Sequence, residues 1–175
     1  MDKQAFWQLI NDSVKAAAGD QALKEQWLIE NLAKMTPEEI IDFECILREY
    51  LIEADDFSIM AVQKIVDGWV TDDPYLYFRC WLIGQGEAVF TNALREPDTL
   101  AEVIEEPYSD FEGLLYATTK AFEQLTGREE DESFPRDIAS SRGLNYDFGV
   151  ETKGEDWTEE QLPALLPKLW ARFGE

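Results

Sequence analysis

Histidine is missing altogether from the 175 residues. That excludes Ser-His-Asp triads, Cys-His dyads, His-ligated zinc and an imidazole switch near neutral pH. Cysteine occurs only as Cys45 and Cys80, too few for a disulfide framework or a four-thiolate metal site. Positive charge is scarce: 15 Lys and Arg stand against 37 Asp and Glu, a formal net charge of −22. Such a chain repels nucleic acid and anionic membranes, because it offers phosphates little cationic surface. No apolar run approaches the ~20 residues that cross a bilayer. The longest, 75–83, is nine residues with Arg79 inside it. Residues 1–7 lack the basic and apolar regions of a signal peptide. P-loop, dinucleotide fingerprint, nucleophile elbow and Glu-x-x-His pair are all absent, which points away from an enzyme and names no catalytic residue or cofactor. The expectation is a cytoplasmic protein with two reduced thiols and neither a nucleic-acid nor a membrane partner.

What is present is helical. Hydrophobic residues make up 45% of the chain and aromatics 13%, enough for a packed core at this length. Phe6, Leu9, Ile10, Val14 and Ala17 recur at three- and four-residue spacing, which predicts an amphipathic helix over 3–17. Gly19-Asp20 ends it and opens a second, carrying Leu28, Leu32 and Met35 with Leu23 and Trp27 beside them. Thr36-Pro37-Glu38-Glu39 reads as a capping box with proline at the first helical position. The helix behind it carries Ile40, Phe43, Leu47, Tyr50, Leu51 and Ala54. A fourth runs from Phe57, with Ile65, Gly68 and Trp69 on its apolar face. Asp73 then reads as an N-cap and Pro74 as the first helical residue. The helix over about 74–83 is apolar on nearly every side, so it belongs at the centre of the fold.

Gly84-Gln85-Gly86 interrupts that helix, and a short one follows over 87–95. Glu96-Pro97-Asp98 is a stop-and-cap signal before another turn or two over 99–104. Residues 111–125 read as a helix closed by Gly127, with Leu114, Leu115, Phe122 and Leu125 in register. Residues 128–156 form a long irregular acidic loop, in which the alternation of Leu144, Tyr146, Phe148 and Val150 suggests a short extended edge. A second capping box, Thr158-Glu159-Glu160-Gln161, leads into a C-terminal helix broken by Pro163 and Pro167. The fold class is mainly α: one domain over 1–175, a multi-helix bundle around the central helix.

The segment Asp72-Asp73 through Phe78-Arg79-Cys80-Trp81-Leu82-Ile83 to Gly86, with Phe6-Trp7 before it and Pro97-Asp98-Thr99-Leu100 after it, resembles a bacterial family of uncharacterised proteins, the domain-of-unknown-function family 4240. The resemblance covers roughly residues 1–125. It implies a fold but no activity. Members of that family often carry a base after the second glycine; this chain has Glu87, which argues against anion binding there.

Arg79 is the most informative single residue. A guanidinium inside an apolar helix must find a carboxylate, helix C-terminal carbonyls or a ligand. Asp72 and Asp73 lie nearly two turns away, so a carboxylate from another helix is the better partner. Asp72 and Asp73 themselves suit the positive end of a helix. Acidity is densest between Arg95 and Lys120, seven acids with no base, among them Glu102, Glu105, Glu106 and Asp110; Glu129 to Glu132 is a further acidic run. Cys45 and Cys80 read as small buried hydrophobes without an activating cation. Trp157, beside the second capping box, is either a staple residue or an exposed hot spot. Two functions follow as expectations. One is an acidic interaction protein that masks a basic protein partner, as an immunity protein or antitoxin does, through residues such as Glu102, Glu105, Glu106, Asp110 and Trp157. The alternative is a small-ligand or metal-dependent enzyme with a pocket near Arg79, Asp72 and Asp73.

Overall fold

The computed structural model describes residues 1–127, 134–146 and 151–174. Among these residues the chain forms ten α-helices and three short 3₁₀ turns, with no strand. The helices are α1 (Lys3–Ala17), α2 (Gln21–Leu32), α3 (Pro37–Glu53), α4 (Phe57–Asp67), α5 (Asp72–Ile83) and α6 (Glu87–Arg95), then α7 (Ala117–Thr126), α8 (Arg136–Ser141), α9 (Leu162–Leu165) and α10 (Pro167–Phe173). The 3₁₀ turns are Pro97–Glu102, Glu112–Tyr116 and Glu159–Gln161. The fold is all-α, as the periodicity predicts.

Local chemistry accounts for the boundaries. Asp2, Asp20 and Asp56 cap α1, α2 and α4 through their side chains. The Thr36 hydroxyl accepts from Glu39 N, and Glu39 Oε2 accepts from Thr36 N at 3.0 Å, which completes the expected box. Gly86, at φ +99°, starts α6 where a side chain would be strained.

Buried residues from Phe6 to Leu169 make one contiguous apolar cluster. Its aromatic centre joins α1, α3 and α6: Phe6 lies 4.7 Å from Phe43, and Trp7 lies 4.7 Å from Tyr50 and 5.3 Å from Phe90 between ring centroids. The Trp7 indole N–H donates to the Tyr50 hydroxyl at 2.8 Å, so the polar ends of these two rings meet each other inside the cluster. Helix α5 is buried from Phe78 to Ile83, Arg79 included, which is the central position its composition calls for.

Several local expectations need correction. Helix α5 starts at Asp72 with Thr71 at the N-cap, so Asp73 lies inside the first turn and Pro74 at its third residue. Trp69 falls beyond the α4 C-cap, Gly68, and is 44% exposed rather than core. Leu23 and Leu125 are likewise exposed. The helix expected over 111–125 is a 3₁₀ turn followed by α7. The stretch expected as irregular contains α8. Leu144 and Tyr146 are not in a strand, and Phe148, Val150 and the run Glu129 to Glu132 lie outside the described residues. The extended pairing occurs elsewhere: Lys153 N donates to Asp55 O at 3.0 Å and Phe57 N to Lys153 O at 2.8 Å.

Asp98 does not cap its own turn. It is buried, and its carboxylate accepts from Lys168 N at 3.0 Å and Leu169 N at 2.9 Å, capping α10 from about 70 residues away. Asp98→Ala is expected to destabilise the protein by about 1–2 kcal/mol, the range for losing a side-chain cap. Amide exchange at Lys168 and Leu169 should quicken with it; unchanged protection of both amides would contradict the assignment.

Candidate functional site

The structure separates the candidate residues into three groups. Arg79, 4% exposed, is held by structural contacts: its guanidinium donates to Leu51 O at 2.9 Å, lies 3.8 Å from an Asp55 oxygen and stacks 4.6 Å from the Tyr75 ring centroid. Its carboxylate therefore comes from the α3–α4 junction, a different element, as the spacing of Asp72 and Asp73 requires. Asp72 and Asp73 are exposed in the first turn of α5, where the positive end of the helix favours them. Trp157 is half-buried, and its indole N–H donates to Phe57 O at 2.7 Å, fastening the segment before α9 onto the start of α4.

The third group is drawn together. Glu105, Glu106 and Asp110 are exposed on one loop, 103–110, and all three line the same cleft of about 410 Å³. Glu102 stands exposed just before the loop, 3.9 Å from the Lys168 ammonium.

The loop is held at both ends and in the middle. Ile104 and Phe111 are buried on either side of it, and Phe111 N donates to Tyr77 O at 3.1 Å. Gln21 donates to Asp110 O, and Arg172 reaches Glu105 O at 3.4 Å. Pro107 lacks an N–H and disfavours helix in the residue before it, so the segment cannot continue the preceding turn. Tyr108 follows in the left-handed region at φ +64°, a conformation that costs a bulky residue about 1–3 kcal/mol. Its N–H donates to Asp67 Oδ1 at 2.7 Å, and its ring is 65% exposed. A strained, anchored and exposed tyrosine on an acidic loop is the most distinctive local feature of the molecule. Tyr108 also borders three clefts at once: the one of about 410 Å³ toward α2 and α5, one of about 470 Å³ toward α10, and one of about 170 Å³ toward α4 and α5.

Electrostatics sharpen the picture. Burial pushes the Asp67 carboxyl above the usual range, opposed by the hydrogen bonds from Tyr108 N and the Gln63 side chain. Across the loop, Lys24 is 5% exposed and lines the 410 Å³ cleft with Trp81 and Gln85. Its ammonium donates to Gly84 O at 2.8 Å, at the end of α5, and burial pulls its pKa down. Sequence reasoning passed over Lys24. The signal was there: it sits one turn before Leu28 and two before Leu32, on the apolar stripe of α2.

Cys45 and Cys80 are both buried, and burial raises both thiols. One expectation changes: Cys45 does have a cation beside it, the Arg142 guanidinium at 3.3 Å, but desolvation outweighs that effect. Among the described residues, no group of three or more Cys, Asp or Glu side chains is disposed to hold a metal ion, and no helix is long and apolar enough to cross a membrane.

Fold and site together define an all-α acidic protein with an anchored acidic loop beside a buried lysine. The chain belongs to the family described as Protein of unknown function (DUF4240), whose sequence profile matches residues 1–124. The match ends inside α7, so the loop and the clefts of about 410 and 170 Å³ lie in the family region. Helix α8 follows it, as do α9 and α10, which close the cleft of about 470 Å³ from the other side. No curated protein and no solved structure matches the chain significantly.

Proposed function

We propose that this protein binds a basic protein partner through the 103–110 loop, as a cytoplasmic masking protein of the immunity or antitoxin kind. The observation that carries the reading is the convergence of exposed Glu105, Glu106 and Asp110 around a fixed, exposed Tyr108. Carboxylates concentrated on one face steer a cationic partner during encounter and fix its register once bound. An exposed tyrosine held rigid beforehand supplies contact area at low entropic cost, which is why tyrosine is enriched among binding hot spots. The alternative, a ligand pocket built on Arg79 with Asp72 and Asp73, has less support. The guanidinium is committed to Leu51, Asp55 and Tyr75, and the three clefts beside the loop are lined by other residues.

The test is affinity capture from native lysate at low salt and again at about 0.5 M salt, where screening falls to a few ångströms. A Glu105→Lys/Glu106→Lys/Asp110→Lys variant is run beside the wild type. The expected result is one stoichiometric basic protein, held by the wild type at low salt, weakened at high salt and lost by the variant. Capture of nothing specific, or equal capture by the variant, would overturn the reading.

A further inference from the structure

The smallest of the three clefts has the most selective lining. Gln63, 2% exposed, lies in it, and its Oε1 has no hydrogen-bond partner among the described residues. The other end of the same amide bonds the Asp67 carboxylate one turn along α4. A buried carbonyl oxygen left unpaired is costly and uncommon in a native fold, so this one calls for a donor. Asp67 accepts from Tyr108 N and from Gln63, yet a carboxylate offers about four acceptor sites, which leaves room for more. The walls are Trp69, Pro74, Tyr77 and Tyr108, with Asp110 also in the lining and no Lys or Arg. Trp69 and Tyr108 are two of the few large hydrophobic side chains left exposed on the molecule.

A carbonyl without a donor, a carboxylate with acceptor capacity to spare, ring faces and unbalanced negative charge all select the same occupant. A cation that carries several N–H groups satisfies the Gln63 carbonyl and Asp67 together, while the ring faces attract its charge. A planar guanidinium meets these demands better than an ammonium, because it stacks flat on aromatic rings and its fork of donors addresses two acceptors at once. The aliphatic stem of arginine would lie along the aromatic walls. We propose that the cleft between the end of α4 and the start of α5 seats the guanidinium of an arginine side chain presented by the basic partner. The assignment rests on the partner reading above and adds to it which residue of the partner is read, and where.

Nuclear magnetic resonance of the full ¹⁵N-labelled chain tests this with N-acetyl-arginine amide as the probe. The citrulline analogue matches its shape without the charge, and the lysine analogue keeps the charge without the plane. The reporters are the Trp69 indole N–H, assigned with Trp69→Phe, and the Tyr108 backbone amide. Arginine is expected to shift both in a saturable way, lysine to bind more weakly and citrulline not at all. Asp67→Asn should weaken arginine binding by about tenfold or more, as for loss of a hydrogen bond to a charged group. Gln63→Met removes the unpaired carbonyl without opening the cleft and should also weaken it, with the fold intact by thermal unfolding. Absence of a shift at the solubility limit, equal binding of citrulline, or unchanged affinity in both variants would overturn the inference. A captured basic protein beside a cleft that takes no arginine overturns this inference alone; failure of the capture experiment overturns the reading beneath it.

Discussion

Glu44→Ala is expected to lower the free energy of unfolding by about 3–5 kcal/mol, the cost of breaking a buried ion pair from one side. Glu44 Oε1 accepts from Arg48 Nε at 2.7 Å within α3, and Glu44 Oε2 accepts from the Thr118 hydroxyl of α7 at 2.7 Å. Arg48 in turn donates to the Ser140 hydroxyl of α8 at 2.9 Å and to Leu144 O at 3.0 Å, and its guanidinium lies 4.9 Å from the Tyr146 ring centroid. Both partners are buried, so removing Glu44 leaves a desolvated charge on Arg48 and cuts the polar link from α3 to Thr118 of α7. Glu44→Leu combined with Arg48→Met should recover most of the loss, because it removes both charges and keeps apolar volume. Denaturant titration of the wild type and both variants measures these effects; a single-variant loss under about 1 kcal/mol would show that the network contributes little.

Arg79→Met carries the second large effect, again about 3–5 kcal/mol. It would leave Asp55 buried without its cation and Leu51 O without its donor. Arg79→Lys should fall between, since an ammonium can reach a carbonyl but does not stack on Tyr75 as a guanidinium plane does. Adding Asp55→Ala to Arg79→Met should return part of the stability. If the double variant is no better than the single one, the Asp55 contact is incidental and the loss belongs to packing. The Arg79 Nε, buried without a partner among the described residues, means that even the native arrangement forgoes one hydrogen bond, at a cost of about 1–3 kcal/mol.

Arg79 illustrates what the sequence makes legible. A lone charge in an apolar helix must find a carboxylate, helix C-terminal carbonyls or a ligand. Asp72 and Asp73 lie nearly two turns away, so a carboxylate from another element is the better partner before any coordinates are known. The structure supplies both a carbonyl, Leu51 O, and a carboxylate, Asp55. Helices α1 to α6 were legible for a similar reason: apolar patterning runs through each, and a glycine stands at or just after the end of α1, α4 and α5. The loop was half legible. Its acidity is plain in the composition, and Glu105, Glu106 and Asp110 meet at one cleft because buried Ile104 and Phe111 pin both ends. Tyr108 carries no such mark. Its positive φ goes with a hydrogen bond from its N–H to an Asp67 carboxylate 41 residues earlier, a contact that local pattern does not encode. Gln63, too, reads as an unremarkable polar residue of α4 until tertiary packing buries it. Asp98 was read as a local cap because its neighbours are Pro97 and Thr99; its amide partners come from another helix, and only the fold brings them near.

The Asp98 cap also has a consequence for biosynthesis. Its partners Lys168 and Leu169 follow it by 70 and 71 residues. At about 5–20 residues per second of synthesis, roughly 4–14 s pass between the two being made. For that interval the nascent chain carries a complete turn at Pro97–Glu102 whose docking surface for α10 is bare and whose buried acid has nothing to bind. A ribosome-bound chain of this protein is therefore open to chaperones or proteases at this surface after the Pro97–Glu102 turn has been made and before α10 has.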